Sequence, residues 1–237
     1  MGQQAQSPEY RSTGRFLAEG IEGLAVSAAV VLTWFISKRW LANLGSVGGE
    51  RSREWPGDHL VSDPETVYTR AITVHAPPES VWPWIMQFGL GRAGFYSYEL
   101  LERVTGIPVR NVESVMPTMQ TLEVGDEVRL HPKLPGIPVA EVKPGERLCF
   151  GVSAELEDRF EHPDPRRSWS IYLEPREAGG TRLVLRSCVG RLRRRTLTTR
   201  FVLCVEDPID FVMEQRMLRT IRRLVEAHGR GRASVAS

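Results

Sequence analysis

The sequence predicts an α+β domain, and three features carry that expectation. Residues 67–76, VYTRAITVHA, alternate apolar with polar or small side chains, the pattern of a half-buried strand. Two further pairs of alternating segments meet at Lys143-Pro144-Gly145 and at Ala178-Gly179-Gly180, which reads as antiparallel hairpins. From Asp207 onward, Ile209, Val212, Met213, Met217, Ile221, Leu224 and Val225 recur at helical spacing, so one face of a long final helix must meet a sheet.

The first element in order is an apolar helix. Residues 23–37, GLAVSAAVVLTWFIS, carry no charge, but as a helix the run reaches roughly 22 Å against a hydrocarbon core of about 30 Å. Three readings stay open: a membrane anchor, an amphipathic helix packed on the domain or a partner, and a cleaved signal peptide, which here lacks a small-x-small cleavage site. Trp34, Lys38, Arg39 and Trp40 resemble an interfacial anchor. Arg11 and Arg15 on one side against Lys38, Arg39, Arg51 and Arg53 on the other lean toward a cytoplasmic main domain. The expected location is therefore membrane-associated with that domain in the cytoplasm, or simply cytoplasmic. Residues 1–42 form this extension, the Gly- and Ser-rich 43–54 read as a linker, 55–228 as the domain and 229–237 as a disordered tail.

Within the domain, Pro77 and Pro78 stop the first strand and suit the first turn of a helix, with Glu79 and Ser80 near its amino end. Val81, Trp82, Trp84, Ile85 and Phe88 then require one buried helical face. Gly89, Gly91 and Gly94 interrupt the pattern, and residues 98–105 resume as a short helix that stops at Gly106 before Pro108. Residues 124–131 and 138–152 supply alternating strand patterns, while the charged, proline-broken 158–167 reads as a loop. Asp207 can cap the last helix with Pro208 in its first position.

Composition narrows the function classes. A chain of 237 residues, 41% hydrophobic and 25% charged, suits one folded domain with an extension. A net charge of +2 without any nucleic-acid-binding motif gives no reason to expect a nucleic-acid partner. Cys149, Cys188 and Cys204 are odd in number and lie among apolar residues, which favours buried thiols in a reducing interior. His59, His75, His131, His162 and His228 lack metal-ligand spacing, so no metal is expected. GLGRAG at 89–94 spells a dinucleotide motif but follows a helix rather than a strand, and neither a P-loop nor a Gly-x-Ser-x-Gly elbow is present; no cofactor is expected.

Candidate ligand-binding residues cluster around the glycine-broken turn. Arg92 could pair a carboxylate or phosphate, or pair structurally with Glu99 or Asp126; Phe95, Tyr96 and Tyr98 could wall a pocket or fill the core. Trp84, Gln87 and Trp169 are open to the same two readings. On the final helix, Met213 and Met217 offer adaptable contacts to a nonpolar ligand, or serve as core filler. Residues 190–200, GRLRRRTLTTR, place Arg191, Arg193, Arg194, Arg195 and Arg200 in a solvated loop that could also meet anionic headgroups, with FVLCV at 201–205 as an interfacial wedge.

Six blocks, WPGD (55–58), TRAITVHAPPESVWPWIMQFGLGRAGFYSYELLE (69–102), VGDEV (124–128), SWSIYLEP (168–175), GGTRLVLR (179–186) and DPIDFVMEQRMLRTI (207–221), resemble the START-like, or SRPBCC, superfamily of polyketide cyclase/dehydrase and lipid-transport proteins. The resemblance spans about residues 55–228. It implies a helix-grip fold, in which a curved antiparallel sheet wraps a long carboxy-terminal helix around a hydrophobic cavity. Such a scaffold hosts several activities, so the resemblance leaves the presence of catalysis open. It implies first a binder, and in some members a transporter, of a hydrophobic small molecule or lipid. The alternatives are a cyclase- or dehydrase-type enzyme using Tyr96, Tyr98, Glu99 or Asp126 for proton transfer, and a membrane-tethered interaction module with a filled core.

Overall fold

In the computed structural model the backbone is described for residues 13–163, 165–192 and 197–235. Alternation along the chain becomes six strands: β1 (Pro64–Val74), β2 (Glu127–Val128), β3 (Ile137–Lys143), β4 (Arg147–Phe150), β5 (Arg167–Pro175) and β6 (Thr181–Gly190). They form one curved antiparallel sheet in the order β1-β6-β5-β4-β3-β2. Among the described residues five α-helices accompany it: α1 (Thr13–Leu41), α2 (Gly48–Ser52), α3 (Pro78–Met86), α4 (Glu99–Val104) and α5 (Leu197–Val235). This α+β arrangement is a helix-grip fold, with α5 and α3 on the inner face of the sheet.

Period-two alternation separates the two faces. Along β6, Leu183 and Leu185 point inward into the main core, whereas Arg182, Val184 and Arg186 point outward. The inner core joins Val74, Trp84, Ile85, Leu148, Phe150 and Ile221, each at most 2% exposed. Burial on this scale supplies the main stabilising term, since each such side chain contributes on the order of 1.5–3 kcal/mol.

On the outer face lies the first departure from the sequence reading. Residues 43–54 are not a free linker but a strap across the sheet. Glu50 of α2 is buried and accepts both Nε and Nη2 of Arg182 (2.7 and 2.9 Å). Just beyond that segment, Asp58 accepts Arg186 through Nε and Nη2 (2.7 and 2.9 Å), and Trp55 packs at a tilt against Tyr172 with ring centroids 4.4 Å apart. The segment also extends the sheet: the Thr69 and Ala71 N–H groups on the free side of β1 donate to Ala42 and Leu44 carbonyls (3.2 and 3.4 Å).

The boundaries of α5 also differ from expectation. Asp207 and Pro208 do not start the helix, which begins at Leu197 and passes through Pro208. Asp207 is engaged instead with the Tyr68 hydroxyl, so its carboxylate serves the sheet rather than the helix end. Proline's fixed φ is helical, and its cost is the lost N–H and a crowded preceding turn. At the other end the helix continues through Gly229 to Val235, where a disordered tail was expected. The side chains of 193–206 lie outside the described residues, and with them Arg193, Arg194, Arg195, Arg200, Cys204 and the FVLCV segment. Cys149 and Cys188 are buried free thiols, as their apolar setting predicts.

Helix α1 packs against α4 and α5. Gly20 and Gly23 permit close approach: a Cβ on the former would sit 2.5 Å from Leu100 Cδ2, and on the latter 2.8 Å from the Tyr98 ring. Arg216 pairs with Glu19 (2.8 Å) and Arg15 with Glu113 (2.9 Å), fixing the helix to the domain. Its opposite side leaves Leu17, Ile21, Leu32 and Trp40 exposed. Gly14–Thr33, with a mean hydropathy of 1.6, is long and apolar enough to cross a membrane by length and composition alone.

Candidate functional site

A cavity of about 630 Å3 lies between the first half of α5 and the inner face of the sheet. That volume falls within the roughly 300–1,000 Å3 range of small-molecule sites. The glycine-broken turn helps to build its wall. Gly89 and Gly94 form an isolated antiparallel bridge, and a Cβ on Gly94 would lie 2.6 Å from Asn111 Oδ1, so only glycine fits there. Asn111 Oδ1 then accepts the Phe95 and Tyr96 N–H groups (2.9 and 2.6 Å), holding Tyr96 at a φ of 56°. This geometry turns the Phe95 ring into the cavity and the Tyr96 ring away from it.

The apolar lining mixes aromatic, aliphatic and methionine side chains. Phe88 stands 5.3 Å from Phe95 and 5.0 Å from Trp169, ring centroid to ring centroid, and Met213 and Met217 of α5 face them across the space. Of the ten residues expected from sequence to contact a ligand, the structure brings Phe95, Trp169, Met213 and Met217 to this cavity. Trp84, Gln87, Arg92, Tyr96, Tyr98 and Glu99 are placed elsewhere.

Each of those six has an evident structural task. Trp84 is buried edge-on to Tyr96 (6.2 Å) and His228 (6.3 Å). Gln87 donates to Tyr96 Oη (2.7 Å) and to the Ser114 carbonyl (3.0 Å), and accepts the Met116 N–H (2.9 Å). Arg92 Nη2 donates to the Met86 and Met119 carbonyls (2.8 and 2.6 Å) rather than ion-pairing with Glu99 or Asp126. Tyr98 packs on α1 with its hydroxyl 3.2 Å from Glu22 and the Arg216 guanidinium over its ring. Glu99 accepts the Asn111 N–H (2.7 Å). Asp126 accepts the Glu123 N–H (2.8 Å) in an exposed turn, so the four groups expected to serve proton transfer, Tyr96, Tyr98, Glu99 and Asp126, do not converge.

The polar groups that do face the cavity are different ones. Arg70 of β1, only 3% exposed, ion-pairs with Glu214 of α5. Glu214 also accepts Trp169 Nε1–H (3.1 Å) and the Ser187 hydroxyl (3.5 Å). Burial pulls the Arg70 pKa down to about 10 against the opposing charges of Asp210 and Asp207, which leaves it cationic at neutral pH. Burial also raises the Tyr68 phenol, and Asp207 adds to that shift. Glu102 of α4 lies against Ser97, whose hydroxyl donates to it (2.6 Å), and burial in this apolar wall lifts its pKa to about 7.

Strand alternation carries a signal for Arg70, because Tyr68, Arg70, Ile72 and Val74 share the inward face of β1. Glu102 and Glu214 carry no comparable mark, being charged residues on helices whose exposed faces are also charged. Among the described residues no group of three or more His, Cys, Asp or Glu is placed to hold a metal ion.

The fold and this interior space define an α+β protein of the cavity-bearing helix-grip class. No family model matches the chain, and no curated protein matches it. Several solved structures align with the chain. A Nitrosomonas europaea protein aligns over 70% of this chain and 98% of its own at 16% identity, with a TM-score of 0.42. A Mesorhizobium loti protein aligns over 68% and 98% at 15% identity and 0.36. An HSP90 activator from Plasmodium falciparum aligns over 58% and 85% at 12% identity and 0.34.

Proposed function

We propose that the protein binds a hydrophobic small molecule or lipid in the cavity under α5, in the manner of the START-like proteins its motifs resemble. The observation that carries this reading is the 630 Å3 space walled by aromatic, aliphatic and methionine side chains beside the buried core. Methionine suits such a wall because its flexible thioether adapts to ligands of varied shape. The test is native mass spectrometry of the full chain, with its solvent extract identified separately. One hydrophobic molecule per chain is the expected result, whereas a folded chain that is empty and takes up no apolar probe overturns the reading.

We also propose that the exposed side of α1 rests on a membrane surface, as an interfacial rather than a spanning helix. Leu17, Ile21, Leu32 and Trp40 supply the apolar face, and the ion pairs of Glu19 with Arg216 and of Arg15 with Glu113 keep the helix beside the domain. Flotation with anionic liposomes should carry the chain upward, and Ile21→Glu with Leu32→Glu should abolish flotation while leaving the thermal melt in place. Flotation unchanged by both substitutions would sink this part.

A further inference from the structure

The charges around the cavity are unequal. Among the described lining residues stand four carboxylates, Glu102, Asp207, Asp210 and Glu214, against two guanidiniums, Arg70 and Arg167. Arg70 and Glu214 neutralise each other, and Trp169 and Ser187 both donate to Oε1 of that carboxylate. Asp207 is engaged by Tyr68, and Asp210 adds its field to Arg70. Glu102 differs from these. It is 7% exposed, it faces the apolar space, and its hydrogen-bond partner among the described residues is the neutral hydroxyl of Ser97.

A carboxylate held in an apolar wall without a cation is costly to ionise. The pKa of about 7 is the signature of that cost. An arriving cation would remove it, while an anionic ligand would meet the excess of carboxylates and be repelled.

We propose that the molecule taken up by this cavity is an apolar compound bearing one protonated amine, whose ammonium pairs with the Glu102 carboxylate while its hydrocarbon body lies against Phe88, Phe95, Trp169, Met213 and Met217. This rests on the reading of the cavity as a ligand site and adds the ligand's chemical class. Among the described residues, the charged groups that share this space with Glu102 are Arg70 from β1, Arg167 from β5, and Asp207, Asp210 and Glu214 from α5, with Ser97 beside it.

Three probes of equal chain length separate the possibilities: dodecylamine, dodecanol and dodecanoate, titrated calorimetrically into the full chain at about pH 8, above the Glu102 pKa of about 7. The amine should bind about tenfold more tightly than the alcohol, the worth of one charge-assisted hydrogen bond, with dodecanoate weakest. Glu102→Gln should erase the amine's advantage and leave dodecanol unchanged. Alcohol or carboxylate binding that equals or exceeds the amine's overturns the proposal, as does an advantage that survives Glu102→Gln. If none of the three binds, the cavity reading falls together with this one. Should Glu102→Gln fail to fold, the ranking of the three probes on the unaltered chain decides alone.

Discussion

The two ends of the groove between α5 and the sheet are built from the same elements and filled very differently. At the carboxy-terminal end, Ile221, Leu224 and Val225 belong to the buried inner core with Val74, Val81, Trp84 and Leu183, each at most 6% exposed. At the other end, Ile209, Met213 and Met217 face Tyr68, Arg70, Ser187 and Val189 across open space. The β1–β6 pairing runs without a break from Thr66 to Val74 beneath both ends. The void is therefore made by side chains and not by backbone. Along the inward face of β6, Leu183 and Leu185 give way to Ser187 and Val189, withdrawing volume where large residues would have closed the groove.

Four sets of substitutions would break or sharpen that contrast. The largest effect is expected from Arg70→Ala, which strips Glu214 of its buried counter-charge and should cost about 3–5 kcal/mol in urea unfolding. Arg70→Met combined with Glu214→Leu should recover most of that loss, and a single variant as stable as the parent would refute the pairing. Next, Leu183→Ala at the packed end should cost about 2–5 kcal/mol, whereas Met213→Ala, already beside empty space, should cost clearly less. Equal losses would mean that the two ends are packed alike.

Glu102→Gln should act through pH. Burial raises the folded pKa from an ordinary 4.5 to about 7, so the folded state holds the proton more tightly. The folded form then binds more protons than the unfolded one between those values, and stability from this group falls as pH rises through that window. The variant should flatten that part of the curve and gain up to roughly 3 kcal/mol at about pH 8. A profile unaltered by the substitution would show that Glu102 is ionised without penalty. Smallest in stability, Met213→Trp should change unfolding by about 1 kcal/mol or less because the space exists to receive it, yet should eliminate probe uptake.

How much of this was legible beforehand varied with the range of the interaction. Strands, hairpins and the apolar face of α5 follow from local periodicity, and the same periodicity found Trp169, Met213 and Met217. The strap was not legible, because Glu50 meets Arg182 and Asp58 meets Arg186 across more than a hundred residues, while locally the stretch reads only as glycine and serine. Asp207-Pro208 spells a helix start, yet the helix begins upstream at Leu197 and Asp207 meets Tyr68 instead. In the glycine turn, Phe95 and Tyr96 are adjacent aromatics with opposite fates. Which one enters the cavity is decided by Asn111, fifteen residues beyond Tyr96.

The backbone of residues 42–44 has a consequence for anyone who would shorten this chain. β1 is an end strand, and Ala42 and Leu44 occupy the Thr69 and Ala71 N–H groups on its free side; the opposite end strand, β2, is only two residues long. The sheet therefore offers little on which another molecule's strand could grow. Trimming the amino-terminal region past Leu44 together with its apolar helix would uncover that edge, and the shortened chain should precipitate by edge-to-edge strand addition.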